Sequence, residues 1–264
     1  MLIDIHAHFY HERSPRADWR ERNASRLGAG DRIGIDWHVA SILGSWGATS
    51  PTYFPSPADL RYGNDRLIAL QQAHPRRIRG YVTVNPNYPE AACAEISRGL
   101  DAGLIGIKLA ASRRADDPLL DPICRAAAAR GVPILHHIWQ HRRRDWPGQE
   151  ASDAVELCRL ARRHPGVSFI LAHIGGGGDW LHSLHAVAPV PNVYLDLSGS
   201  GVDGGMLEGC VNAVGPERLL WGCDLTMETG WAKLRYLSLI LGPDAVEDLR
   251  WRNAARIFPA RVFE

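Results

Sequence analysis

Short apolar, β-branched runs alternate along this chain with longer stretches whose apolar residues recur at helical spacing. That alternation predicts a parallel sheet covered by helices. The strand-like runs are Leu2 to His8, Val39 to Leu43, Arg79 to Val84, Leu104 to Leu109, Val132 to Ile138, Val167 to His173, Val193 to Leu197 and Leu219 to Asp224. Eight strand and helix units predict an α/β fold, a (β/α)8 TIM barrel. Helix punctuation agrees: Asn64 to Ala73 stops before His74-Pro75, Pro89 to Leu100 precedes Gly103, and Pro118 to Arg130 stops at Gly131. An open doubly wound sheet is the alternative, but its first strand should enter a glycine-rich turn, and here it enters His6-Ala7-His8. No long linker or further repeat interrupts the pattern, so residues 1–264 are expected to form a single domain. Two long connections, Phe9 to Asp36 and Gln140 to Ser152, follow strands one and five and belong to the C-terminal face of such a barrel.

Composition narrows the partners. A chain of 264 residues that is 45% hydrophobic and 22% charged can bury a substantial core without staples. Its 30 basic and 29 acidic side chains nearly cancel, so the overall charge draws it to neither nucleic acid nor an anionic membrane. A small-molecule substrate is the expected partner, with a homo-oligomer left open. Cys93, Cys124, Cys158, Cys210 and Cys223 are scattered, without a C-x-x-C pair, as suits reduced thiols in a cytoplasm. With no signal-like start and no apolar run of spanning length, an unprocessed, soluble, cytoplasmic protein is expected.

Candidate chemistry gathers at the predicted strand ends. Asp4, His6 and His8 alternate with Ile3, Ile5 and Ala7, which places the three polar side chains on one face. Outward positions of a barrel strand pack on helices, so the polar face is expected inside, and a metal ion would satisfy the two buried imidazoles together. His137 ends strand five and His173 ends strand six. His136 and His137 face opposite sides; His137, nearer the end, is the choice for the interior, with His136 hydrogen-bonded between strand and helices. Asp224 ends strand eight, where a carboxylate can hold a metal and accept a proton from water.

With these residues in place the chain resembles the amidohydrolase superfamily, within it the group of aminocarboxymuconate-semialdehyde decarboxylase and related lactonases and decarboxylases. The resemblance rests on Asp4-Ile5-His6-Ala7-His8-Phe9, Gly106-Ile107-Lys108-Leu109, His137-Ile138-Trp139, Ala172-His173-Ile174-Gly175-Gly176, Gly222-Cys223-Asp224 and Asn253-Ala254-Ala255-Arg256-Ile257-Phe258. It implies one zinc or other divalent ion on His6, His8, His137 and Asp224, with His173 beside it contacting water or substrate. Asp224 and His173 are then the catalytic candidates. Lys108 stands where some binuclear members carry a carboxylated lysine; a Lys paired with a substrate carboxylate or a neighbouring acid is the favoured alternative. Trp139 and Asn85 join it as candidate substrate contacts.

Other features carry less. His182 and His185 read as a solvated helix face. Gly175 to Gly178 imitates a phosphate loop, but Asp179-Trp180 follows it rather than Lys-Ser or Lys-Thr. Arg142 to Arg144, between Trp139 and Trp146, could attract an anionic substrate. The expected activity is hydrolysis of a lactone, amide or similar carbonyl compound by activated water. The alternatives are decarboxylation of an aromatic or unsaturated acid and, third, a non-catalytic metal-binding barrel.

Overall fold

The computed structural model describes residues 1–109, 112–137, 152–174, 180–199, 201 and 203–264. Its strands are β1 (Ile3–His8), β2 (Trp37–Ser41), β3 (Ile78–Val84), β4 (Gly106–Leu109), β5 (Ile134–His136), β6 (Phe169–Leu171), β7 (Val193–Asp196) and β8 (Leu219–Leu220). They pair in sequence order, each parallel to the next. The seam closes where Ile5 N–H donates to Trp221 O at 3.0 Å and Asp224 N–H to His6 O at 2.6 Å. Between the strands run α1 (Trp19–Ile33), α2 (Pro57–Ala73), α3 (Pro89–Asp101), α4 (Asp121–Arg130), α5 (Ala154–Arg163), α6 (Trp180–Val187) and α7 (Met206–Val214). Then α8 (Met227–Ile240), α9 (Pro243–Glu247) and α10 (Asn253–Ile257) end the chain. This is the (β/α)8 barrel that the alternation predicts. Among the described residues no helix is long and apolar enough to cross a membrane.

Local chemistry sets the boundaries. Helix α2 begins earlier than expected because Ser56 Oγ accepts the Asp59 N–H at 3.2 Å and Pro57 tolerates the first turn. Helices α1 and α4 stop at Gly34 and Gly131, both left-handed. Strands β6 and β8 end sooner than their apolar runs suggest, since His173 (φ 60°) and Asp224 (φ 53°) leave the extended conformation.

Two apolar layers result. Ala7, Ala40, Val82, Ile107, Ile134 and Phe169 face the helices. Ile3, Ile5, Tyr81, Leu135, Ile170 and Leu220 fill the interior, floored by Phe258 and Phe263.

Strand β1 corrects one expectation. Ile3 pairs with Trp37 and Asp4 with His38, yet Ala7 pairs with Ala40 and His8 with Ser41. One extra residue of β1 is therefore bulged between those pairs, and it reverses the side-chain alternation. Ile3 and Ile5, expected outside, lie in the interior cluster. Asp4, expected inside beside His6 and His8, faces α1 instead. There its Oδ2 accepts from Arg26 Nη2 at 2.7 Å and from His38 Nδ1 at 3.2 Å, and its Oδ1 accepts the Cys223 N–H at 2.9 Å. Burial alone would raise the Asp4 pKa, but Arg26 and His38 outweigh it and bring the carboxyl below its ordinary 3.8.

Asp4→Ala strands the nearly buried Arg26 guanidinium and is expected to cost about 3–5 kcal/mol of unfolding free energy. Because the folded pKa is depressed, the ionised pair stabilises above pH 3.8, and its contribution is lost as pH falls through the lower folded value. Denaturant titrations should therefore show the gap between wild type and variant at neutral pH and see it narrow in acid.

Candidate metal centre

Beyond the bulge, His6 and His8 both point to the C-terminal mouth, their rings 5.0 Å apart. His6 is fully buried. Its Nδ1 lies 2.6 Å from Asp196 Oδ2 and its Nε2 lies 3.0 Å from Lys108 Nζ. An ionised carboxylate accepts only and an ammonium donates only, so His6 carries its proton on Nδ1. Burial, then the charge of Lys108, hold its pKa well below the ordinary 6.5. His8 Nδ1 lies 3.2 Å from Ser41 O and 3.1 Å from Ser41 Oγ, which turns Nε2 toward Asp224 Oδ1 at 3.1 Å.

Asp224 follows β8 in a left-handed conformation that Asp tolerates better than most residues. Its backbone is held at both ends: its N–H donates to His6 O, and its carbonyl accepts from Arg26 Nη1 at 2.5 Å. Burial would raise its carboxyl pKa, but the hydrogen bond from His8 and the nearby His173 and His6 hold it far below the carboxylate range. His173, also left-handed, places Nδ1 3.6 Å from Asp224 Oδ2, while Nε2 meets His137 Nδ1 at 2.9 Å. Burial pushes its pKa down to about 3. His137 is likewise held well below 6.5, by burial and then by His173 and Lys108. His6, His137 and His173 are thus held neutral and Asp224 ionised, the protonation states that metal binding requires.

The donor set fits a divalent ion. The ligand atoms of His6, His8 and Asp224 lie within 4.8 Å of one another, as do those of His6, His173 and Asp196. Two donors each about 2.0–2.2 Å from one ion cannot be more than about 4.4 Å apart; His8 Nε2 and Asp224 Oδ1, at 3.1 Å, meet that condition. His137 belongs to neither group of mutually close ligand atoms among the described residues; it reaches the cluster through His173.

The other candidates separate. Lys108 is fully buried against His6, and burial brings its pKa down to about 8, opposed by Asp224 and Asp196. Asn85 sits buried in the loop after β3, where its Nδ2 donates to Pro55 O and its Oδ1 accepts from Asn87 and Ser112; those bonds brace the loop. His136 faces away from the cluster, buried, with Nδ1 on His137 O. Trp139, Arg142 to Arg144, Trp146 and Gly175 to Gly178 lie outside the described residues.

Two features of the site escape the sequence reading. Asp196 and Ser198 bond to His6 and His173, and their alternation with Leu195 and Leu197 is a period-two signal like that of strand one. Next to His8, a recess of about 320 Å³ is lined by Tyr10, Arg16, Arg22, Arg26 and Glu228. Arg22 pairs with Asp18 and Arg26 with Asp4, whereas Arg16 lies over the Tyr10 ring with no acidic partner among the described residues. Gly222 lets the walls approach: a Cβ there would come within 2.7 Å of Asp196 Oδ1 and 2.9 Å of His6 Cβ.

Comparison with known proteins gives a family and a shape. The family described as amidohydrolase matches residues 3–260. None of the curated proteins matches this sequence. Among solved structures, 5-carboxyvanillate decarboxylase from Sphingomonas paucimobilis is 19% identical with a TM-score of 0.72, over 97% of this chain and 98% of that one. The 2,6-dihydroxybenzoate decarboxylase from Rhizobium is 17% identical with a TM-score of 0.75, over 97% and 98%. A dihydroxybenzoic acid decarboxylase from Polaromonas, with bound manganese and the inhibitor 2-nitroresorcinol, is 19% identical with a TM-score of 0.71, over 97% and 96%.

Proposed function

Since the chain belongs to the amidohydrolase family, we propose that it is a metal-dependent decarboxylase of a carboxylated aromatic acid, with one divalent ion on His6, His8, His137 and Asp224. The observation that carries this reading is the recess against His8, where three arginines face one glutamate and Arg16 makes no ion pair among the described residues. A guanidinium so placed suits a substrate carboxylate. The similar solved structures named above are decarboxylases of aromatic acids, one of them with manganese, which supports the same direction and favours no particular metal for this chain. When bound, the ion would take an anionic substrate oxygen and draw off the charge that develops during reaction.

The chain's own residues supply the proton. A substrate carboxylate entering the recess adds negative charge, which raises the proton affinity of Asp224 and His173. A proton taken up from solvent as the anionic substrate binds is shared between Asp224 Oδ2 and His173 Nδ1, 3.6 Å apart, and passes from there to the ring carbon that bears the carboxylate. The carbon–carbon bond then breaks, its electron pair returns to the ring, and carbon dioxide leaves. Hydrolysis of a lactone or amide stands as the second reading. The side of Asp224 turned from His8 could equally accept a proton from water, but a neutral substrate would leave Arg16 without a role.

The test is a screen of metal-loaded protein against hydroxylated and methoxylated benzoates, scored by released carbon dioxide, beside lactones and amides. Release from the benzoates is expected, and Arg16→Ala should raise KM for them about tenfold with metal content unchanged, as the loss of a charge-assisted hydrogen bond implies. Turnover of lactones or amides alone would establish the hydrolase, and silence toward every substrate would favour the non-catalytic barrel.

A further inference from the structure

Asp196, at the end of β7, is the most heavily bonded carboxylate of the site, and the proposed mechanism gives it no part. It is completely buried. Its Oδ2 faces His6 Nδ1 at 2.6 Å and accepts from Ser198 Oγ at 2.5 Å, and its Oδ1 accepts the Ser198 N–H at 2.9 Å. The backbone N–H of His173 points at Oδ2 from 3.5 Å. Ser198 Oγ, its hydrogen given to Asp196, is left as an acceptor 3.1 Å from His173 Nδ1.

These contacts assign every proton along one path. His6 Nδ1–H donates to Asp196, Ser198 Oγ–H donates to Asp196, and His173 Nδ1–H donates to Ser198. With Nδ1 protonated, His173 Nε2 is an acceptor, and His137 Nδ1–H donates to it at 2.9 Å. The path is anchored from outside the barrel. Buried Lys233, on α8, donates from Nζ to the carbonyls of Leu197 and Gly199 at 2.9 Å each and of Ser198 at 3.3 Å, fixing the turn that carries Ser198. Gly199 (φ 83°) lets that turn pass His173, since a Cβ would lie 3.3 Å from the ring Nδ1.

We infer that Asp196 and Ser198 are positioning residues that lock His6 and His173 as Nδ1–H tautomers. Asp196 thereby presents the His6 Nε2 lone pair to the metal, and Ser198 ties the orientation of His173 to the same carboxylate. A carboxylate behind a ligating imidazole fixes ring and tautomer and strengthens the ligand, and its loss typically weakens metal binding 10- to 100-fold. The inference rests on the metal reading of this site.

The experiment uses the full-length protein. In ¹⁵N-labelled, metal-free wild type, imidazole spectra should show His6 and His173 protonated at Nδ1; an Nε2–H tautomer at His6 would overturn the assignment. Manganese and zinc titrations should then give Asp196→Asn a dissociation constant 10- to 100-fold above wild type. Ser198→Ala should keep its dissociation constant near the wild-type value and lose the defined His173 Nδ1–H signal. A packing role alone would lower the melting temperature of the metal-free variants and leave both metal affinity and tautomers unchanged. Asp196→Asn with wild-type affinity would overturn the inference, whereas wild type that binds no divalent ion would overturn the metal reading itself. Should Asp196→Asn fail to fold, the wild-type spectra and the Ser198→Ala comparison still decide.

Discussion

Asp224→Asn is expected to lower turnover by on the order of 10⁴-fold, the upper end of what a positioned acid or base contributes, and to weaken metal binding at the same time. The carboxylate touches both halves of the centre, with Oδ1 3.1 Å from His8 Nε2 and Oδ2 3.6 Å from His173 Nδ1. An amide of the same shape removes the negative charge and holds no transferable proton. Asn also accepts the left-handed backbone at this position, and the bonds of the Asp224 N–H and carbonyl to His6 and Arg26 are main-chain contacts that survive the substitution. Losing the charge also removes the stabilisation that its depressed pKa implies, so the metal-free protein should melt somewhat lower yet stay folded, beside turnover collapsed at saturating metal. Turnover within tenfold of wild type would remove Asp224 from the mechanism.

His6→Ala and His8→Ala should strip the ion, because each removes a buried donor from the group formed with Asp224, and turnover should fall with it. His173→Ala should instead retain most of the metal and lose about 10²- to 10⁴-fold in rate, the contribution of a general acid or base. Metal content and turnover measured on the same preparations separate the two patterns. The geometry makes the comparison sharp, since His173 lies among the mutually close ligand atoms with His6, while His137 reaches them by its hydrogen bond to His173. If His173→Ala lost metal as readily as His6→Ala, His173 would become a ligand, and a binuclear site that includes Lys108 would be the better description. His137→Ala belongs in the same series. Under the proposed ligand set it behaves like His6→Ala.

The barrel itself was legible from the chain, because the period of its apolar runs is a local property. Ile107 and Leu109 on one side of Lys108, or Ile134 beside Leu135, report burial on helix-facing and interior layers without knowledge of any partner. The histidines and Asp224 stood out for a related reason: polar, metal-binding side chains end otherwise apolar strands, where burial would be costly without a partner. Their grouping followed from barrel topology, which carries every strand end to one mouth.

The orientation of β1 was not legible. Alternation placed Asp4 with His6 and His8, whereas the bulge against β2 sends Asp4 to Arg26 and brings Ile5 and His6 to the same interior. A bulge is a mismatch in count between two strands, so it exists only once they pair. Asn85 lies in the loop after β3, and its bonds to Pro55, Asn87 and Ser112 join segments that the sequence alone does not bring together. Asp196 carries a period-two signal, but a single Asp at a strand end resembles many others. What sets it apart is a 2.6 Å contact with His6, a residue 190 positions away in the chain. The sequence by itself determined which strands form and which side chains reach their ends, since burial and periodicity act over neighbouring residues. Only the tertiary structure decided which way each side chain turns and which atom it faces, because register and cross-strand contacts arise from pairing between distant segments.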